Sequence, residues 1–201
     1  YEFEHNRQRD FNMADIGTKH FVNGNSVHKP FPEECHQLIV AMGCFWGVEK
    51  LFWQEEGVYS TSAVYIGGTA VDPTYQEVCS GMTGHTEGVL IVYDPLKIST
   101  KEILKFFWEG HDPTQYMRQG NDIGSQYRSA VFFSDDETLQ LIHETKAEYQ
   151  KKLKQSGYGE IVTEVIPVEH FYYAEDYHQQ YLAKNPNGYC GLGGTGVCLN
   201  Q

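Results

Sequence analysis

Met42-Gly43-Cys44-Phe45-Trp46-Gly47 puts a cysteine where a buried apolar run ends and helical spacing begins. A helix N-terminus carries partial positive charge and free backbone N–H groups, which stabilise a thiolate and predict a lowered pKa for Cys44. Flanking glycines permit a tight turn and the close approach of another molecule. The competing reading is a small buried hydrophobe, the usual fate of a single cysteine. A second thiol-bearing stretch runs from Asn187 to Cys198, where five of twelve residues are glycine and Cys190 and Cys198 are both present. Such a segment has no helix or strand preference, so it is expected to move freely and let its thiols visit a distant one. Its Gly191-x-Gly193-x-x-Gly196 spacing imitates a dinucleotide-binding turn. That pattern needs a strand before it and a helix after it, and only five residues follow Gly196.

Thr83-Gly84-His85-Thr86-Glu87-Gly88 sets a carboxylate and an imidazole at the start of an apolar strand. A carboxylate turned toward an apolar face has its pKa raised and can serve as an acid near neutral pH. The alternative is a solvated strand-end glutamate. Gln119 to Arg128 is a polar, glycine-punctuated loop of the kind that carries sites or merely turns. His178 reads equally as a base or as a packed histidine.

These residues need elements to position them. Leu38 to Met42 reads as a buried strand, followed by a helix through Val48, Leu51 and Phe52 that Gly57 ends. Val58 to Ile66 reads as a second strand, residues 67–73 as a turn, and Glu87 to Tyr93 as a third strand. Ser99 with Glu102, and Ser134 with Glu137, have capping-box spacing and open two helices, the second running to Gly157. Between and after them, Tyr127 to Phe133 and Ile161 to Val168 read as strands, and Ala174 to Ala183 as a short helix. The order predicts an α+β fold: a two-layer α/β sandwich with a ferredoxin-like split βαβ core. Residues 1–37 read as an N-terminal arm. Residues 38–201 read as one catalytic domain whose Gly-rich C-terminal tail is 185–201, with both ends wrapped on the core.

Composition narrows the function. In 201 residues, 15 Lys and Arg face 27 Asp and Glu, a net charge of -12, which disfavours nucleic acid and anionic membrane surfaces. No apolar run approaches the ~18 residues that span a bilayer. Five cysteines, an odd number without C-x-x-C or zinc spacing, predict neither a disulfide scaffold nor a metal site, and reduced thiols are expected. The 14 tyrosines suit dense packing or a polar pocket with apolar walls. The sequence begins at Tyr1, so an upstream segment, including any targeting signal, is expected to have been trimmed.

Taken together, the chain resembles the A-type peptide methionine sulfoxide reductase family over roughly residues 38–199. Gly43-Cys44-Phe45-Trp46-Gly47 resembles that family's active-site signature. Pro73 to Val78, Gly84 to Glu87, Gly120 to Asp122, Gln126 to Ser129, Tyr172 to Asp176 and His178 to Leu182 follow as its other blocks, in order. The chain departs from the family at Val64, where glycine is usual, at Gly88 where alanine is common, and at Tyr116 where glycine is common. Arm residues 1–37 match nothing in it.

The resemblance implies reduction of methionine S-sulfoxide, free or in proteins. Cys44 would be the nucleophile and Glu87 the acid, with Tyr75 and Tyr127 bonding the sulfoxide oxygen and Asp122 orienting a donor or a water. Phe45 and Trp46 would wall the methyl pocket, with His178 and Tyr189 nearby. Cys190 would resolve the Cys44 sulfenic acid and Cys198 would move the disulfide outward to thioredoxin. Cys35 and Cys79 would pack. No cofactor or metal is implied, and a cytoplasmic monomer is expected, or an organellar one if a targeting segment was removed. The rivals are a cysteine hydrolase pairing Cys44 with His85 or His178, which leaves the tail thiols idle, and a noncatalytic methionine-peptide binding module, which leaves Glu87 idle too.

Overall fold

The computed structural model describes residues 4–5 and 16–199. The rest of the expected arm up to residue 15, and the last two tail residues, lie outside the described residues. Strands β1 (Glu4–His5), β2 (His36–Ala41), β3 (Val58–Ile66), β4 (Thr86–Tyr93), β7 (Ala130–Phe133), β8 (Glu164–Pro167) and β9 (His170–Tyr173) form one sheet in the order β1-β9-β3-β4-β2-β7-β8. Its centre, β3-β4-β2-β7, is antiparallel throughout, the strand order of a split βαβ pair. A separate two-stranded hairpin consists of β5 (Arg118–Gln119) and β6 (Asp122–Ile123).

Helices α1 (Phe45–Trp53), α3 (Thr100–Gly110) and α4 (Asp136–Gln155) cover one face. There Leu38, Val40, Val89, Ile91 and Val131 meet Phe52, Phe107, Trp108 and Tyr149 in a continuous core. The opposite face, with Ile39, Val64, Leu90, Val92 and Phe132, is covered by Ile16, Val168, Phe171 and Tyr173. Both faces being buried explains why these strands read as unbroken apolar runs instead of alternating. Among the described residues no helix is long and apolar enough to cross a membrane.

Several boundaries move. The long helix is capped by Asp135, which accepts from Thr138 N, rather than by Ser134. Ser99 caps α3 as expected, accepting from Glu102 N at 3.1 Å; such caps contribute about 1 kcal/mol each. Residues 125–127 form a 3-10 turn, and the strand begins only at Ala130, because Arg128 turns inward to bond the carbonyls of Ser125 and Gly84. The expected strand over 161–168 shortens to β8. The expected last helix splits into a 3-10 turn (Asp176–His178) and α5 (Tyr181–Lys184). The elements not anticipated are β1, the β5–β6 hairpin, β9, and α2 (Tyr75–Cys79), whose Thr74–Glu77 pair forms a complete capping box.

The tail also differs in part from expectation. Its described residues hold no helix or strand, as expected, and Leu192, Val197 and Leu199 pack on the helical-face core, which was not foreseen. Tyr149 OH donates to Val197 O at 2.9 Å and Tyr158 OH to Thr195 O at 3.1 Å, satisfying carbonyls that its glycines leave without regular partners.

Candidate active site

β2 delivers Cys44 to the N-terminus of α1 through Gly43, whose φ of +95° and close contact with Gln119 exclude a side chain. Cys44 is the N-cap residue and is half-buried. The first N–H groups of α1 face two groups: that of Trp46 favours the Cys44 thiolate without forming a side-chain cap bond, and Phe45 N–H donates to Glu87 Oε1 at 3.2 Å. Glu87 lies near the start of β4, paired with Tyr65 of β3, and is 1% exposed.

The electrostatics correct one expectation. The Cys44 thiol is pushed up, not down. Burial is the largest cause and the Glu87 carboxylate the next, and together they outweigh the Trp46 N–H. Burial likewise drives Glu87 up to about 8, against the Phe45 N–H, with Asp122 adding a smaller rise. Near neutral pH the resting pair is therefore a thiol and a carboxylic acid.

The aromatic groups gather around them. Tyr127 lies within electrostatic reach of Glu87, Cys44 and Asp122, and the Tyr75 hydroxyl bonds Cys79. Burial is the first cause raising both phenols, keeping them as neutral donors. Asp122, at the start of β6, accepts from Tyr189 OH at 3.0 Å, which ties the tail to the hairpin. The Cys190 sulfur lies against Gly47, where an added Cβ would stand 2.7 Å from it, and it is within electrostatic reach of Cys44. Cys198 is instead within reach of Tyr149, on the helical face. The structure thus gathers Cys44, Glu87, Tyr75, Tyr127, Asp122, Phe45, Trp46, His178, Tyr189 and Cys190, and sets Cys198 with α4. All five cysteines are free.

His178 is fully buried among Phe45, Trp46, Tyr75 and Tyr177, and its Nδ1 accepts the Trp46 Nε1–H at 3.0 Å. Burial pushes it down to about 4, so it is a neutral ring that aims an indole. His85 has both ring nitrogens on the 67–70 loop: Nδ1 accepts from Gly68 N and Nε2 bonds Ala70 O. Neither imidazole is free to deprotonate Cys44, which removes the hydrolase geometry.

Three participants escaped the sequence reading. Glu175 accepts from Tyr65 OH at 2.9 Å and from Tyr75 N at 3.0 Å, fixing the start of α2. Tyr181 stacks on Trp46, with centroids 3.8 Å apart and 12° between planes. Cys79, expected to pack, is exposed and bonded to Tyr75; it occupies the last turn of α2, an element that the expected turn ended short of. The Thr74-x-x-Glu77 spacing was the signal that could have found it.

The family model described as peptide methionine sulfoxide reductase matches residues 36–195. The peptide methionine sulfoxide reductase MsrA 1 of Synechocystis sp. is 58% identical over 182 residues, covering 90% of this chain and 82% of that protein. Methionine sulfoxide reductase A of Corynebacterium diphtheriae superposes with a TM-score of 0.78 at 41% identity, over 86% of this chain and 84% of that one. The fold also matches Mxr1 from Saccharomyces cerevisiae in complex with Trx2, with a TM-score of 0.54 at 24% identity, over 77% of this chain and 90% of that one.

Proposed function

Since this chain belongs to the peptide methionine sulfoxide reductase family, we propose that it reduces methionine S-sulfoxide, free or in proteins, by a cysteine relay recycled by thioredoxin. The observation that carries the reading is the start of α1: Cys44 stands at its N-cap, and the first N–H, that of Phe45, donates to a Glu87 carboxyl within electrostatic reach of the thiol that burial holds up to about 8. A sulfoxide oxygen leaves sulfur only when protonated, and a thiol attacks that sulfur most readily as the proton arrives. Glu87 donates the proton and recovers the one Cys44 gives up. Tyr75 and Tyr127 supply neutral hydroxyls to the oxygen as charge builds there, and Asp122 orients a donor or a water. Phe45 and the clamped Trp46 receive the ε-methyl group.

Attack gives a sulfurane with a Cys44–methionine S–S bond; its hydroxyl moves to the Cys44 sulfur as that bond breaks, so methionine departs and Cys44 is left as a sulfenic acid. The Cys190 thiol displaces that hydroxyl as water, forming the Cys44–Cys190 disulfide. Attack by Cys198 on the Cys190 sulfur frees Cys44 and leaves a Cys190–Cys198 disulfide for thioredoxin. Mxr1, which shares the fold, has been solved in complex with Trx2, and this supports that reductant. Five unpaired thiols suit a reducing compartment, and we place the protein in the cytoplasm.

The test is a thiol count. Reduced protein mixed with a methyl sulfoxide loses two thiols per methionine formed in the absence of reductant. A count that does not fall while product forms rejects the relay, and binding without product leaves only the binding-module reading.

Trp46 carries a separate prediction. Trp46→Ala raises KM for sulfoxide peptides and blunts the preference between sulfoxide epimers, while the Cys44 thiol stays reactive to small alkylating reagents. Steady-state kinetics on resolved epimers check it; an unchanged preference assigns the discrimination to another wall.

A further inference from the structure

Glu49 is fully buried on α1 and takes no part in the chemistry above. Its carboxylate accepts from Thr61 Oγ1 at 2.6 Å, Gln180 N at 2.7 Å and Gln180 Nε2 at 2.7 Å. Behind it, His20 Nε2 bonds Thr61 Oγ1 at 2.8 Å and stands 3.8 Å from the carboxylate. His20 Nδ1 accepts from Val22 N and burial pushes the ring down to about 4, so it is neutral, with its proton on Nε2. Burial pushes Glu49 up toward its neutral form and the Gln180 and Thr61 donors oppose it, so a carboxylate is held there only with those donors in place.

What the donors hold is a strained turn. Gln180 is not glycine yet has φ +47°, a region side chains avoid. Its amide is fully engaged: Nε2 also donates to Thr61 O, and Oε1 accepts from Phe21 N. Two residues before it, His178 takes the Trp46 indole N–H; one residue after it, Tyr181 stacks on the indole face. Gln179 between them is pinned to Ala63 and Ala174. Glu49 lies three positions beyond Trp46 on the same helix, so the clamp closes back on the element it starts from.

We infer that Glu49 is a positioning residue for substrate: by holding the turn at Gln180 it fixes His178 and Tyr181 on Trp46, and it sets the fit of the sulfoxide methyl pocket, not the reactivity of Cys44. The inference rests on the reading of Trp46 as a wall of that pocket. It also gives the 16–35 segment a part in binding, since His20 and Phe21 belong to the same network.

The test is Glu49→Gln in the full chain. The amide keeps the shape but turns an NH2 toward groups that all donate to the carboxylate, so the turn at Gln180 loosens. KM for a sulfoxide peptide rises about tenfold while the single-turnover rate at saturating substrate stays within about threefold of wild type. The Trp46 indole N–H resonance, assigned with Trp46→Phe, shifts, and that of Trp108, held by Thr145 on the far side of the core, does not. An unchanged KM with an unmoved Trp46 resonance overturns the inference. Should Glu49→Gln fail to fold, Gln180→Ala carries the same two readouts, because it removes the amide bonds and keeps the main-chain N–H. Wild-type protein that reduces no sulfoxide would overturn the functional reading instead, and the indole resonance would still test the clamp.

Discussion

Replacing Glu87 by alanine slows single-turnover sulfoxide reduction by ~10²–10⁴, the usual cost of losing a general acid. Exchange between Cys190 and Cys198 is untouched, because that step needs no proton at the sulfoxide. Glu87→Gln falls between alanine and wild type, since an amide bonds the oxygen but delivers no carboxyl proton. The sign of the pH dependence follows from the direction of the shift. Glu87 is held up to about 8, so its acid form is present below that value and is lost as pH rises through it. The wild-type single-turnover rate therefore falls across that range, and Glu87→Ala loses the fall. Cys44 is raised still further, so no compensating thiolate appears in the same window, although the two groups titrate as a coupled pair. A stopped-flow loss smaller than about tenfold for Glu87→Ala would sink the assignment and turn attention to Tyr75 and Tyr127.

The second large effect concerns the relay. Cys44→Ser loses no thiol and reduces no sulfoxide. Cys198→Ser completes a first turnover at the wild-type rate and then stalls, as a Cys44–Cys190 disulfide that thioredoxin reaches poorly. Peptide mapping of the stalled protein identifies that bond, and a free Cys190 would reject the order. The Cys190 sulfur rests where a Cβ on Gly47 would stand 2.7 Å away, so Gly47→Ala leaves sulfenic acid formation in place and slows the disulfide. The next exchange asks more of the chain. Cys198 starts within reach of Tyr149, on a segment whose carbonyls Tyr149 and Tyr158 hold, and those bonds must yield before it meets Cys190.

Much of this was legible in the residues. Apolar runs and caps gave the central strands and the three long helices, because those elements are stabilised by local pattern: β3 occupies the expected Val58–Ile66, and Ser99 caps α3. Cys44 and Glu87 were each legible as candidates, from a cysteine at a strand–helix junction and a carboxylate entering an apolar strand, but only the resemblance to the family joined them in one site. What the pattern concealed was the balance of forces. A helix N-terminus does stabilise a thiolate, but its first N–H goes to a buried carboxyl, and desolvation acts on Cys44 more strongly than the Trp46 N–H. The tail's glycines spoke for mobility, while the packing of Leu192, Val197 and Leu199 is visible only once α3 and α4 are in place. Trp46's clamp was hidden for the same reason: the Trp46–His178 bond spans 132 positions of the sequence and the Glu49–Gln180 bond 131, which no local spacing encodes.

The raised thiol at Cys44 bears on how such a catalyst survives its working conditions. Peroxides that make methionine sulfoxide also attack cysteine, but through the thiolate, and they drive it past the sulfenic stage to acids that no disulfide exchange can rescue. A protonated, half-buried Cys44 is a poor target for them. In the proposed mechanism it becomes nucleophilic when a bound sulfoxide accepts the Glu87 proton and leaves a base beside the thiol. Burial, which costs Cys44 its resting ionisation, thereby spares the resting thiol during the oxidative episodes that create its substrate.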